Sequence, residues 1–316
     1  MIMKPLRFNK LDRLLAMRYI KSDREPAKKV FVYLFKPYSD LFNFSNEEDR
    51  YEAIASLFVT FGTSMLLNRH MDKNMDKNMD ASINIDYMLM YGIVDHYIDC
   101  DDISPDEKED RMSTIKNIIY MDIKPDKMTK AVEVLYTIYQ KYKHDGVVMK
   151  YIRKAFEGEY LSYKIQYTEQ PYDVYKEACI MKGSTMYCLH KAMNGLEIDE
   201  KWDYKVGYIG QLLDDISDVE SDNKNGIHTM ATYILERYGY LDELFYDVSK
   251  EIASFPDDDY TLYRAVMTAL LYYIVNESSH FTETLKLKAL PYSLVKPGVK
   301  INQILGKSLC KMLDQN

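Results

Sequence analysis

The sequence predicts an all-α protein, a bundle of about a dozen helices, and three observations carry that expectation. Only 12 glycines and 9 prolines fall among 316 residues, so few positions interrupt a helix. Leu, Met, Lys and Glu are frequent, and these side chains lose little rotamer freedom in a helix. Apolar residues recur at spacings of three and four, the period of a helix face, and strand-like alternation by two has little support.

Taken in order, the periodic segments place helices at about 8–20, 26–36, 46–69, 82–100, 105–120, 127–143, 146–166, 171–194, 200–222, 227–253, 258–288 and 299–313. A break is expected near Gly239 in the tenth of these. Between Arg69 and Ala81 the chain repeats Met-Asp-Lys-Asn, so 71–80 is expected to be an exposed low-complexity loop without chemistry. Pro125, Pro171, Pro256 and Pro291 sit in polar stretches and mark turns rather than linkers. A single helical domain over 1–316 is therefore expected, large enough to bury a sizeable core.

The formal net charge of −8 argues against nucleic acid or an anionic membrane surface as a partner, since both demand clustered Lys and Arg. An anionic substrate would need metal ions or a local basic pocket. Cys100, Cys179, Cys188 and Cys310 form no CxxC pair and read as free thiols of a reducing compartment. Residues 1–10 lack an apolar core of the signal-peptide kind, and no apolar run is long enough to span a bilayer. A soluble, cytoplasmic protein with no integral membrane segment is the expectation.

Two acidic constellations interrupt otherwise apolar helices. On the segment 82–100, rich in Ile, Tyr, Met and Leu, Asp95 and Asp99 stand one turn apart and share a face. Asp101 and Asp102 follow at its C-terminal end, where the helix dipole disfavours carboxylates unless cations offset them. On the segment 200–222, Asp214, Asp218 and Asp222 fall at i, i+4 and i+8 and make one acidic stripe, opposite apolar residues that include Val206, Ile209, Leu212, Leu213, Ile216 and Val219. Like charges at that spacing destabilise a bare helix. Donors of oxygen alone suit a hard cation, and Mg²⁺ takes one or two carboxylates together with water and substrate phosphate oxygens. Either stripe by itself reads as a solvated helix face; the two together predict metal-ligand walls around a dry cavity.

These residues resemble the two aspartate-rich motifs of the class I isoprenoid synthase superfamily, which includes trans-prenyl diphosphate synthases and terpene synthases. Gln211-Leu-Leu-Asp-Asp-Ile-Ser-Asp218 is similar to the pattern QxxDDxxD, and Asp214, Asp218 and Asp222 keep the spacing of the terpene synthase metal triad. Asp95-His-Tyr-Ile-Asp99 resembles DDxxD with histidine in second place. Glu157-Gly158-Glu159 and the segment Tyr175 to Thr185 resemble the prenyl synthase segments GQ and Y…KT, so Lys182 inherits the diphosphate-contacting lysine. The resemblance spans about 82–235, in the expected order.

What the resemblance implies is an isoprenoid synthase-type helical bundle around a central active-site cavity. Asp95, Asp99, Asp214, Asp218 and Asp222 would hold Mg²⁺, three ions together with the substrate diphosphate. Asp95, Asp99, Asp214 and Asp218 would thereby be the catalytic set. Lys182, Lys224, His228 and Gln211 would bind the substrate's diphosphate end, and Tyr91 and Tyr187 would line the pocket. The substrate would be an allylic prenyl diphosphate, and a homodimer is an assembly common in this fold. Departure of diphosphate from an allylic carbon leaves charge on oxygen for cations to stabilise, and an allylic cation to be shielded from water by apolar and aromatic walls.

Departures narrow the reading. Elongating enzymes hold a second diphosphate through a GKxxR-like segment and an arginine pair after the first motif. Here the N-terminal region has only Arg7, Arg13 and Arg18 without the glycine, and Arg111 alone follows Asp102. A buried diphosphate is costly without cationic partners, so a terpene synthase that ionises and cyclises farnesyl or geranylgeranyl diphosphate is the leading expectation. A chain-elongating prenyltransferase, a squalene or phytoene synthase-like enzyme, for which Asp218-Val-Glu-Ser-Asp222 and Gly226 offer a partial match, and an inactive partner subunit remain as alternatives. The histidines show no HExxH spacing, and neither a Walker loop nor GxGxxG occurs. Gly207 and Gly210 are expected to let helices approach closely.

Overall fold

The structure, a computed structural model, describes residues 24–41, 46–48, 50–51, 53–58, 81–98, 103–256, 260–289 and 301–315. It is all-helical, with no strand among the described residues. The helices are α1 (Arg24–Phe35), α2 (Ala81–Ile98), α3 (Pro105–Met121), α4 (Lys130–Tyr142), α5 (Gly146–Ile165), α6 (Tyr172–Met193), α7 (Glu200–Asn225), α8 (Met230–Tyr238), α9 (Asp242–Ala253), α10 (Thr261–Glu277), α11 (Glu283–Ala289) and α12 (Ile301–Gln315). A 3₁₀ turn, Lys36–Tyr38, follows α1, and 53–58 are also helical. The helix expected at 8–20 and the loop expected at 71–80 lie outside the described residues.

Capping explains several boundaries. Ser104 accepts a hydrogen bond from the Glu107 amide at the start of α3, and Asp199 accepts one from the Lys201 amide at the start of α7; each satisfies an amide that has no intrahelical partner. The expected break near Gly239 is present, with φ of 76° at that residue between α8 and α9. The single helix expected over 258–288 is instead two, α10 and α11. Between them Thr282 donates to the Asp242 carboxylate from its amide (2.9 Å) and its hydroxyl (2.6 Å), and the Leu241 amide donates to the His280 carbonyl (2.9 Å). The N-terminus of α9 thus captures 278–282, and those bonds outweigh continuation of the helix.

The chain divides into two compact units. One contains Glu157–Cys188 and the described part of Ile198–Val299, and here α7 packs against α8, α9 and α10, with α9 and α11 also on α10. Its core includes Ile209, Leu213 and Ile216 of α7, Phe245 and Ile252 of α9, and Leu271 and Tyr272 of α10. Each such side chain contributes about 1.5–3 kcal/mol by leaving water. The other unit contains Leu189–Glu197 and the described parts of Asp23–Phe156 and Lys300–Asn316, with α2 against α1, α3 and α4, and α12 against α1. Phe31, Phe35, Met88, Leu89 and Leu309 are fully buried there, and the Phe31 and Phe35 rings stack at 5.1 Å. No helix among the described residues is long and apolar enough to cross a membrane.

Candidate functional site

The second aspartate motif lies on α7, in the first of these units. As the apolar period predicts, α7 buries Val206, Ile209, Leu212, Leu213, Ile216 and Val219. Asp214 and Asp218 are exposed on the opposite side, and Asp222 is half-buried. Ser217 donates to the Asp218 carboxylate at 3.1 Å, and the Gln211 amide nitrogen reaches Asp214 at 3.5 Å and Asp215 at 2.9 Å. Gln211 therefore orients two carboxylates at once.

Asp215 behaves differently from its neighbours. Partly buried, it is pushed up to about 6 by desolvation; hydrogen bonds from Gln211 and Cys179 and the charge of Lys182 act in the other direction. The thiol of Cys179 is itself raised well above its ordinary range, first by burial and then by the adjoining Asp215. Spacing assigned no role to either residue. A helical projection could have found both, since Asp215 sits about 100° from Asp214, turned toward the core, and Cys179 lies one turn before Lys182.

Lys182 is the centre of the arrangement. Its ammonium pairs with Glu159 at 3.1 Å, and the two side chains are only 12% and 10% exposed. Backbone contacts fix where this pair stands. A Cβ on Gly158 of α5 would come within 2.9 Å of the Lys182 amide nitrogen, so only glycine lets α5 approach there. On the other side, a Cβ on Gly183 would lie 2.7 Å from Gln211 Cβ, and one on Gly207 would collide with the Gly183 carbonyl. Residues 182–183 are thus pinched between α5 and α7, bringing Glu159, Lys182 and the acidic helix together. Ser184 donates to the Tyr204 carbonyl (2.7 Å) and Tyr263 to the Val206 carbonyl (2.8 Å), which ties α6 and α10 to the same stretch of α7. The expected close approach holds for Gly207; a Cβ on Gly210 would meet nothing within 4 Å.

The other expected residues are more dispersed. Lys224 is exposed near the end of α7. His228 donates its amide to the Gln166 carbonyl at 2.7 Å, and its ring lies 6.2 Å from that of Tyr175. Tyr187 of α6 has its phenol raised well above the usual value, chiefly by burial. Tyr91 is half-buried on α2, in the other unit. Asp95 falls within α2, but its side chain, like Asp99, Asp101 and Asp102, lies outside the described residues. A groove of about 350 Å³ runs beside α6, α7 and α9, with Ile180, Tyr204 and Tyr208 in its wall. Its lining does not include the aspartates or Lys182.

Among the described residues, no three His, Cys, Asp or Glu side chains converge to hold a metal ion. The donor set nevertheless fits Mg²⁺: Asp214 and Asp218 offer exposed oxygen donors one turn apart, and one or two carboxylates are the usual protein share of a Mg²⁺ shell completed by water and phosphate. No protein-family model, no curated protein and no solved structure matches the chain.

Proposed function

We propose that the chain is a Mg²⁺-dependent class I terpene synthase that ionises and cyclises an allylic prenyl diphosphate, farnesyl or geranylgeranyl diphosphate. The observation that carries the reading is the packing of Gly183, next to Lys182, against Gly207 and Gln211 of α7, the helix that presents Asp214 and Asp218. Oxygen donors and a buried ammonium, held by backbone contact, are what a diphosphate with its cation needs. When bound, Mg²⁺ supplies charge stabilisation for the departing diphosphate.

In this reading Asp214, Asp218 and Asp222 present the ligating oxygens; the Asp95 side chain and Asp99, expected ligands of the first motif, lie outside the described residues. Gln211 keeps Asp214 and Asp215 oriented. Lys182 donates to phosphate oxygen, and Lys224 and His228 add donors near the end of the acidic helix. Tyr187 contributes apolar wall that keeps the allylic cation from water.

The test is product analysis by gas chromatography and mass spectrometry. Purified protein with Mg²⁺ and geranyl, farnesyl or geranylgeranyl diphosphate should yield hydrocarbons or terpene alcohols, and Asp214→Ala should abolish them. No product from any of the three would end the proposal. The contact of Gly158 with Lys182 joins the two segments that resemble prenyl synthases and favours chain elongation as a second reading. A product formed only when isopentenyl diphosphate is added would select it.

A further inference from the structure

The Lys182–Glu159 pair is an unusual device for a site that binds an anion. Both side chains are nearly withdrawn from water, and their charged atoms are 3.1 Å apart. The ammonium therefore stands beside the acidic helix with a carboxylate already against it. Lys182 acts on Asp215 and Cys179, Cys179 is within electrostatic reach of Asp214, and Asp215 is within reach of Asp218. All of these groups share one field. Among the groups named, Glu159, Asp214, Asp215 and Asp218 carry carboxyls, and at reduced dielectric carboxylates repel a polyanion strongly.

We propose that Glu159 is a positioning residue that holds Lys182 in a neutral pair and thereby makes diphosphate capture conditional on a divalent cation. This rests on the reading of the site as a diphosphate site. The pinch of residues 182–183 between Gly158 and Gly207 fixes the lysine backbone, so adjustment falls to the side chain, which can share its ammonium between Glu159 and a phosphate oxygen. A metal-bound diphosphate, its charge largely offset, can compete for that ammonium. A bare one meets a lysine already paired with Glu159 and the carboxylates beside it. Neutralising Glu159 removes one negative charge and leaves the lysine's donors to the ligand.

Calorimetric titration of the full chain with inorganic diphosphate tests this, with Mg²⁺ and with EDTA. The wild-type protein should bind only with Mg²⁺. Glu159→Gln should gain metal-free binding by about tenfold or more, the effect of roughly one unit of differential interaction. Glu159→Asp keeps the charge but withdraws it by one methylene, so it should show a smaller gain and remain folded if the glutamine variant does not. Adding Lys182→Gln to Glu159→Gln should erase the gain, an outcome that loosened packing would not produce. Wild-type metal-free affinity in the folded Glu159 variants, or a gain that survives loss of Lys182, would overturn the proposal alone. Failure of the wild-type protein to bind diphosphate even with Mg²⁺ would overturn the reading of the site as well.

Discussion

Asp214 and Asp215 are adjacent, yet about 100° of helical rotation makes one an exposed carboxylate and leaves the other partly buried with its pKa near 6. Position on a helix decides what an identical side chain does. A second residue shows the same rule with a measurable consequence. His190 is buried beside the ring of Tyr87, and its Nε2 lies 3.3 Å from Asn84 Oδ1. That oxygen accepts, so Nε2 carries the proton of a neutral ring. Desolvation lowers the pKa from 6.5 to about 3, with the charge of Lys191 acting in the same direction. A depressed histidine stays neutral in the folded chain while the unfolded chain takes up a proton. Its contribution to stability is therefore present above 6.5 and is lost as pH falls from 6.5 toward 3. By about pH 5 the loss is roughly 2 kcal/mol. Urea unfolding at pH 7 and pH 5 should show a steeper decline for the wild-type protein than for His190→Gln; equal declines would refute the assignment.

Helix pairs set the geometry of the candidate site. Where α6 crosses α7, Gly183 and Gly207 bring backbone against backbone, and neither can yield in the way a flexible side chain can. Gly207→Ala should cost about 3 kcal/mol, the upper range for overpacking. It should also weaken Mg²⁺-dependent diphosphate binding, because Lys182 moves relative to the acidic stripe. Gly210→Ala, on the same helix with open space around it, should instead stabilise by about 0.5–1 kcal/mol through helix propensity. Opposite signs in denaturant midpoints would bear this out; equal effects would exclude the crossing as the cause. The break between α10 and α11 depends on Asp242, to which Thr282 donates twice. Thr282→Val removes the hydroxyl bond and should lower stability by about 1–2 kcal/mol.

A net charge of −8 works against long-range steering of a polyanion, so under the proposed function capture of a diphosphate would fall to the local site and its cation. Such a ligand, bound only by the folded state, raises stability by mass action, about 2.7 kcal/mol at a hundredfold excess over its dissociation constant. Thermal unfolding followed by fluorescence should show a rise in midpoint with Mg²⁺ and diphosphate together. Neither alone should match it, EDTA should reverse it, and Asp218→Asn should lose most of it. A rise of the same size in Asp218→Asn would remove that residue from the site.

The sequence by itself determined the helical class, the location of most helices and the burial pattern of α7, because a 3.6-residue apolar period encodes which face seeks the core. It also set Asp214 and Asp218 in one stripe opposite the apolar face of α7, where the expected wall of a dry cavity is instead exposed, and marked Gly207 as a point of close approach. What it could not express were interactions between segments distant along the chain. The pairing of Glu159 with Lys182, the raised carboxyl of Asp215 beside Cys179, and the interruption at 278–282 depend on which helices meet and on what each loses in hydration when they do. Periodicity is a property of one helix, whereas an ion pair or a displaced pKa belongs to two, and only the tertiary structure brings the second helix to the first.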